Sequence, residues 1–277
     1  MHPSEFKFFL DSGAFSAWSQ GTTIDIDEYI AFIKANIDHI EVYASLDHIG
    51  GEPGRAPTKA ERNEGAEISW QNYLYMKKEG LDPIPVFHCG EDWRWLDNML
   101  DHGCDYIGLG GMARNSSKDR VAWLDEVFDR ITNDKGQPLV KTHGFGMTAI
   151  PLIFRYPWYS VDSTSWFQTG NFGGIMLPRV DAAGEFRFDV PPYNVSVSHD
   201  SPNKDKHNKS AWNMAPTMKG HLMRWLAMCG VTLEQVAVHY YYRDLVNITF
   251  FKGLQDCRKE FVFTHKRIKR KPLFEAP

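Results

Sequence analysis

Short apolar runs rich in Val, Ile, Phe and Tyr alternate along the chain with longer segments of helical period. That alternation is the pattern of repeated strand–helix units around a parallel sheet, and it predicts an α/β fold built as a TIM-like (β/α)8 barrel. Predicted strands run over Phe6–Leu10, Ile40–Leu46, Ile84–Phe87, Tyr106–Leu109, Leu139–Thr142, Tyr159–Val161 and Gly174–Leu177. Between the first two, Asp25 and Glu28 read as a capping pair for a helix in which Ile26, Tyr29, Ile30, Ile33 and Ile37 recur at helical spacing. Further helices are expected over Arg62–Lys78 stopped by Gly80, Trp93–His102 stopped by Gly103, Lys118–Ile131, Ala215–Met228 and Leu245–Phe261. From Leu177 to Asn213, Pro191, Pro192, Pro202 and several Asn, Asp and Ser residues leave little periodicity, which predicts a long functional loop or insertion over 178–213. Residues 1–277 thus read as one barrel domain with this insertion, closing helices and a basic C-terminal tail over 264–277.

A length of 277 residues with 43% hydrophobic positions is enough to bury one continuous core. The chain has no run of about 18 uninterrupted apolar residues, and Met1 to Phe9 lacks the charged-then-apolar order of a secretory signal. A soluble, cytoplasmic protein with no membrane partner is the expectation. Cys89, Cys104, Cys229 and Cys257 lie far apart without CxxC spacing, so reduced thiols are expected. The net charge of −4 carries no global sign of nucleic-acid binding, but it hides local basic clusters. Lys204, Lys206, His207 and Lys209 form one; Lys266, Arg267, Lys269, Arg270 and Lys271 form the other. Such clusters are either phosphate grips or ordinary solvated surface, and both readings stand at this point.

In parallel barrels the loops after the strands' C-terminal ends build the active site. Asp11 follows the first predicted strand, Asp47 the second, His88 and Cys89 the third, Gly110 and Gly111 the fourth, His143 the fifth and Asp162 the sixth. A single strand-ending Asp is often just a cap for the next turn. Six polar or glycine positions at equivalent places favour one shared site.

These residues also carry a family resemblance. Asp11-Ser12-Gly13-Ala14-Phe15 resembles the DSGGF-type motif of the tRNA-guanine transglycosylases, and Gly110-Gly111-Met112-Ala113 their GGLA segment. Gly144-Phe145-Gly146 is similar to their GVG turn, Val161-Asp162 to the hydrophobic-Asp pair that holds their nucleophile, and Asn247 to Phe250 to part of their C-terminal helix. The motifs fall in matching order over most of the chain. The family's cysteine-rich zinc site has no counterpart, because CxCxxC spacing is absent. No metal or other cofactor is therefore expected. Compact size and divergent motifs most resemble the phage-type DpdA group, DNA-guanine transglycosylases that place 7-deazaguanines in DNA.

The resemblance implies exchange of guanine in DNA for a free 7-deazaguanine base, such as 7-cyano-7-deazaguanine. Breaking an N-glycosidic bond develops positive charge at the anomeric carbon, which a carboxylate on the opposite face can trap as an ester. Asp162 stands at that position, and Asp11 at that of the second carboxyl group, which manages protons on the departing and incoming bases. Asp47 stands at the base-recognition position, where an acceptor complements guanine's N1–H and N2–H₂ donors. Backbone N–H groups of Gly111 and Met112 are candidates for the O6 acceptor. His88 and Cys89 align with a base-contacting glutamine, and Phe15 and His143 with residues that sandwich the base.

Bland alternatives remain beside each assignment: a backbone-bonded buried Asp162, a turn-capping Asp11, an ordinary glycine turn, a buried Cys89, a core His88 and a core Phe15. At the level of function the alternatives are a tRNA-guanine transglycosylase, a barrel hydrolase or lyase acting on a small metabolite, and a noncatalytic nucleic-acid-binding module. HxH and HExxH spacings are absent, which disfavours a metal hydrolase.

Overall fold

A computed structural model of the chain describes residues 7–112, 115–205 and 209–259. In chain order it contains β1 (Phe8–Leu10), α1 (Ala14–Ser19), α2 (Ile26–Asn36), β2 (Ile40–Tyr43), α3 (Lys59–Lys78), β3 (Val86–His88), α4 (Trp93–Asp101), β4 (Tyr106–Gly110), α5 (Ser117–Arg130) and β5 (Lys141–Gly144). There follow α6 (Ile150–Arg155), β6 (Ser160–Val161), α7 (Ser165–Asn171), β7 (Gly174–Leu177), β8 (Arg179–Val180), β9 (Phe186–Arg187), β10 (Tyr193–Ser196), α8 (Pro216–Met228), α9 (Leu233–Val238) and α10 (Tyr240–Lys259). The fold is mixed α/β with parallel-strand sheets. The described residues divide into two compact units, one holding 7–146 with Trp158–Val161 and the other Met147–Pro157 with 162–259.

In the first unit β1 pairs with β2, and β3, β4, β5 and β6 pair in that order, all parallel. A parallel bridge between Ala44 and Ile84 links the two groups, with Ser45 N–H donating to Ile84 O (2.8 Å) and Ile84 N–H to Tyr43 O (2.9 Å). Six strands therefore lie side by side in sequence order. Both faces of the sheet are covered, as at Val86 and Phe87, consecutive residues of β3 that point to opposite faces and are both buried. Helix starts follow from caps. Asp25 accepts from the N–H groups of Asp27 and Glu28 ahead of α2, and Thr58 and Glu61 form a reciprocal capping box that starts α3 three residues before the predicted Arg62.

The second unit departs from the repeated pattern. β7 pairs antiparallel with β10, in the register Gly174 to Ser196 and Leu177 to Tyr193. The stretch expected as a loop over 178–213 thus contains β10 and the two-residue strands of the β8–β9 hairpin. Asp181 shapes that hairpin's turn by accepting from Ala183 N–H and Glu185 N–H. Strands of two residues carry no readable alternation, and a distant antiparallel partner has no local signal. The last helix begins at Tyr240 rather than Leu245, and α9, with its own Thr232–Gln235 capping box, precedes it. Asn247, fully buried on α10, ties the unit together: its Oδ1 accepts from Met176 N–H of β7 (2.7 Å) and its Nδ2 donates to Trp166 O of α7 (2.9 Å). Among the described residues no helix is long and apolar enough to cross a membrane.

Candidate active site

The segment after β2 is pinned to α3 by backbone and side chain together. Asn72 donates to Leu46 O (2.9 Å), and His48 N–H donates to the Ser69 hydroxyl (2.8 Å). Close approach depends on two glycines: a Cβ at Gly65 would lie 2.8 Å from His48 O, and one at Gly50 would lie 1.9 Å from Glu61 O. Between these anchors sits Asp47, its side chain 11% exposed.

At the end of β3, His88 lies between two carboxylates. Its Nε2 is 3.4 Å from Asp47 Oδ2 and its Nδ1 is 3.0 Å from Glu91 Oε1, while its backbone N–H donates to Glu91 Oε2 (3.0 Å). Burial by itself opposes charge on this imidazole, but the Glu91 and Asp47 carboxylates outweigh it and raise the pKa well above the ordinary 6.5. Both ring nitrogens of His88 thus face carboxylates, an arrangement that favours the imidazolium. Glycines at the end of β4 make room for the ring: a Cβ at Gly110 would lie 2.9 Å from its Cδ2. Gly111, at φ 73°, adopts the left-handed conformation that turns the chain away from the strand.

Only one oxygen of Asp47 faces His88. The other, Oδ1, is buried and has no hydrogen-bond partner. An unpaired acceptor in that position costs about 1–3 kcal/mol, and more when charged, unless a donor fills it. Asp11 belongs to the same end of the sheet. Tyr29, whose hydroxyl donates to Ala44 O (3.0 Å), has its pKa raised first by burial and then by the carboxylates of both Asp11 and Asp47. The first unit therefore brings Asp11, Asp47, His88, Gly110 and Gly111 to the C-terminal ends of β1 to β4.

The remaining sequence candidates are placed as follows. Cys89 donates its backbone N–H to Gly110 O (3.1 Å), and its Sγ accepts from Asn115 Nδ2 (2.8 Å). Burial pushes its thiol up to about 11, which favours the protonated form at neutral pH. Met112 is buried, its carbonyl accepting from Asn115 N–H. His143 is 2% exposed; its ring stacks on Phe9 (4.0 Å, 18°), meets Phe145 edge-on, and bonds Ser160 through Nδ1 (2.6 Å). Phe15 is 55% exposed on α1 beside Trp18. Asp11 is exposed, and so is Asp162, which follows Val161 directly and belongs to the second unit. Lys204 and Lys209 are exposed in that unit, whereas Lys206, Lys266, Arg267, Lys269 and Arg270 lie outside the described residues, as does Ala113 of the Gly110-Gly111-Met112-Ala113 motif.

Glu91 and Tyr29 were not among the sequence candidates. A signal for Glu91 exists: His88 directly follows a predicted strand, and Gly90, at φ 96°, folds the chain back so that the residue three after His88 meets its ring. Tyr29 is indistinguishable in sequence from its apolar helix neighbours. Among the described residues no group of three or more His, Cys, Asp or Glu side chains is arranged to hold a metal ion. Compared with known protein families and with curated proteins, the chain matches none.

Proposed function

We propose that the protein is a DNA-guanine transglycosylase that exchanges guanine in DNA for a 7-deazaguanine, on a (β/α)8 barrel and through a covalent aspartyl intermediate. The observation that carries this reading is the unpaired, buried Oδ1 of Asp47, fixed in orientation by His88. A rigid carboxylate acceptor suits the adjacent N1–H and N2–H₂ donors of guanine, which a 7-deazaguanine shares. The sequential parallel order of β1 to β6 supports the barrel, since doubly wound sheets reverse their strand order at a switch point.

In the proposed reaction, Asp162 Oδ attacks the anomeric carbon as the bond to guanine N9 breaks, and Asp11 in its acid form gives the departing base its proton. The incoming base then loses its N9 proton to the Asp11 carboxylate, and N9 displaces Asp162. Two inversions retain the sugar configuration, and all atoms and protons balance. The partners are DNA and the free base, in a cytoplasmic setting.

The test is incorporation of labelled guanine or 7-cyano-7-deazaguanine into duplex DNA, single-stranded DNA and tRNA in one buffer. Incorporation into DNA is expected. Incorporation into tRNA alone overturns the DNA assignment, and abasic sites without incorporation would make the protein a hydrolase.

A further inference from the structure

The second unit contains a cavity of about 710 Å³ between α7, β7 and β10, lined among others by Ser165, Phe172, Tyr193, Asn194, Ser196 and Lys209. Its size is within the range of about 300–1,000 Å³ typical of ligand sites. Two of its hydroxyls are unsatisfied. Ser196 is 5% exposed, yet its Oγ has no hydrogen-bond partner, and the same holds for the buried Oγ of Ser165. Buried polar atoms are normally paired, so these two point to a ligand that supplies the missing partners.

The rest of the lining identifies that ligand's chemistry. No carboxylate lines the cavity among the described residues, while Lys209 does. Ser196 N–H donates to Lys209 O (2.6 Å), which fixes the lysine's backbone across β10. Outside the lining itself, Arg179 stacks over the ring of the lining residue Tyr193 at 4.5 Å and donates to its hydroxyl (3.4 Å). Phe172, 69% exposed, offers an uncovered aromatic surface at the same cavity. Positive charge, neutral hydroxyl and amide groups and an open aromatic ring are what a single-stranded polynucleotide requires: charge for the phosphodiester, a ring for stacking, and donors for sugar and base oxygens.

We propose that this cavity holds a nucleotide of a single-stranded DNA substrate. Ser165, which lines the cavity, lies three residues after Asp162, the proposed nucleophile. The inference rests on the transglycosylase reading for its substrate. Its test is nonetheless independent of base exchange, because the probe contains no guanine.

A fluorescent oligothymidylate is titrated by anisotropy into the full chain and into Lys209→Glu, Phe172→Ala and Ser196→Val, with Lys209→Arg as the charge-conserving control. Phe172→Ala is expected to weaken binding at least about fivefold, the low end of base–aromatic stacking. Lys209→Glu should lower the salt slope by about 0.7, as for loss of one phosphate contact on a single strand. Lys209→Arg should bind as the wild type, and thermal unfolding midpoints show that each variant is folded. Wild-type protein that fails to bind oligothymidylate, or folded Lys209→Glu and Phe172→Ala variants that bind it unchanged, overturns the proposal. Binding of tRNA through these residues with none of oligothymidylate overturns it in favour of an RNA strand. If the variants lose oligothymidylate binding while no nucleic acid supports base exchange, the cavity assignment stands and the transglycosylase reading falls.

Discussion

At the scale of single residues the proposed chemistry turns on how His88 holds Asp47. The imidazolium is stabilised in the folded protein by Glu91 and Asp47, so its pKa is raised relative to the unfolded chain. Its contribution to stability is complete below about pH 6.5 and is lost as pH rises through the folded value. Between those limits the folded state binds the extra proton, and wild-type stability should fall by at most about 1.4 kcal/mol per pH unit from this group. The variant His88→Gln should lack that slope in urea unfolding series run from pH 6 upward, and it should also bind 7-deazaguanine more weakly. An unchanged alkaline slope would mean His88 is not charged at neutral pH. Asp162→Ala tests a different residue-scale claim. The residue is exposed, so truncation should leave the protein folded while base exchange and any denaturation-resistant protein–DNA adduct disappear. Retention of near-wild-type exchange by this variant removes Asp162 from the mechanism. Asp11 and Asp162 were legible as carboxylates directly after strands, whereas β2 ends at Tyr43, four residues before Asp47, and the clamp on Asp47 was legible only in part. His88 stands at a strand end, whereas its pairing with Glu91 depends on a glycine reversal whose direction the residue order does not specify.

Among the elements, α3 does more than cover the sheet. Its Gly65 is an unfavourable helix residue by about 1 kcal/mol relative to Ala, so propensity alone predicts that Gly65→Ala stabilises the protein. The added Cβ would instead lie 2.8 Å from His48 O and 2.9 Å from Gly50 N, both backbone atoms that cannot swing aside. We therefore expect Gly65→Ala to lower stability by about 1–2 kcal/mol net of propensity and to weaken base binding by displacing Asp47, measured by thermal unfolding and free-base titration. A higher melting temperature with unchanged base affinity would show that α3 does not position the loop. The long helices were readable because their apolar residues recur over several turns and their ends carry caps, as at Asp25 and at Gly80 after Lys78. The helices α1, α6, α7 and α9 have six or seven residues each, under two turns, and too short a window for a period to emerge. β10 was missed for another reason. Its residues follow Pro191 and Pro192, which read as loop, and its partner β7 is a strand whose antiparallel match is recorded nowhere in the local sequence.

On the scale of the whole molecule, the order of β1 to β6 was legible because each parallel strand must be returned by a crossover segment, and those segments carry the helical periods. The electrostatics were less so, since a net charge of −4 says nothing about where phosphates are bound. Two basic clusters compete for that role. Lys204 and Lys209 are exposed in the second unit, and Lys209 lines its cavity, while Lys266, Arg267, Lys269, Arg270 and Lys271 lie outside the described residues. Counterion release separates them, because each phosphate contact on a single strand contributes about 0.7 to the slope of log K against log salt concentration. Neutralising Lys204 and Lys209 together should reduce that slope by at most about 1.4, and neutralising the five C-terminal cations by at most about 3.5 if each meets a phosphate. Free 7-deazaguanine carries no phosphate, so its proposed binding at Asp47 should respond to neither change. We expect the Lys204/Lys209 pair to lower the slope while free-base affinity stays within error. If only the five-residue substitution lowers it, strand binding belongs to the C-terminal cluster. If both variants keep the wild-type slope, neither cluster contacts DNA, and the local basic character of this acidic protein is ordinary solvated surface.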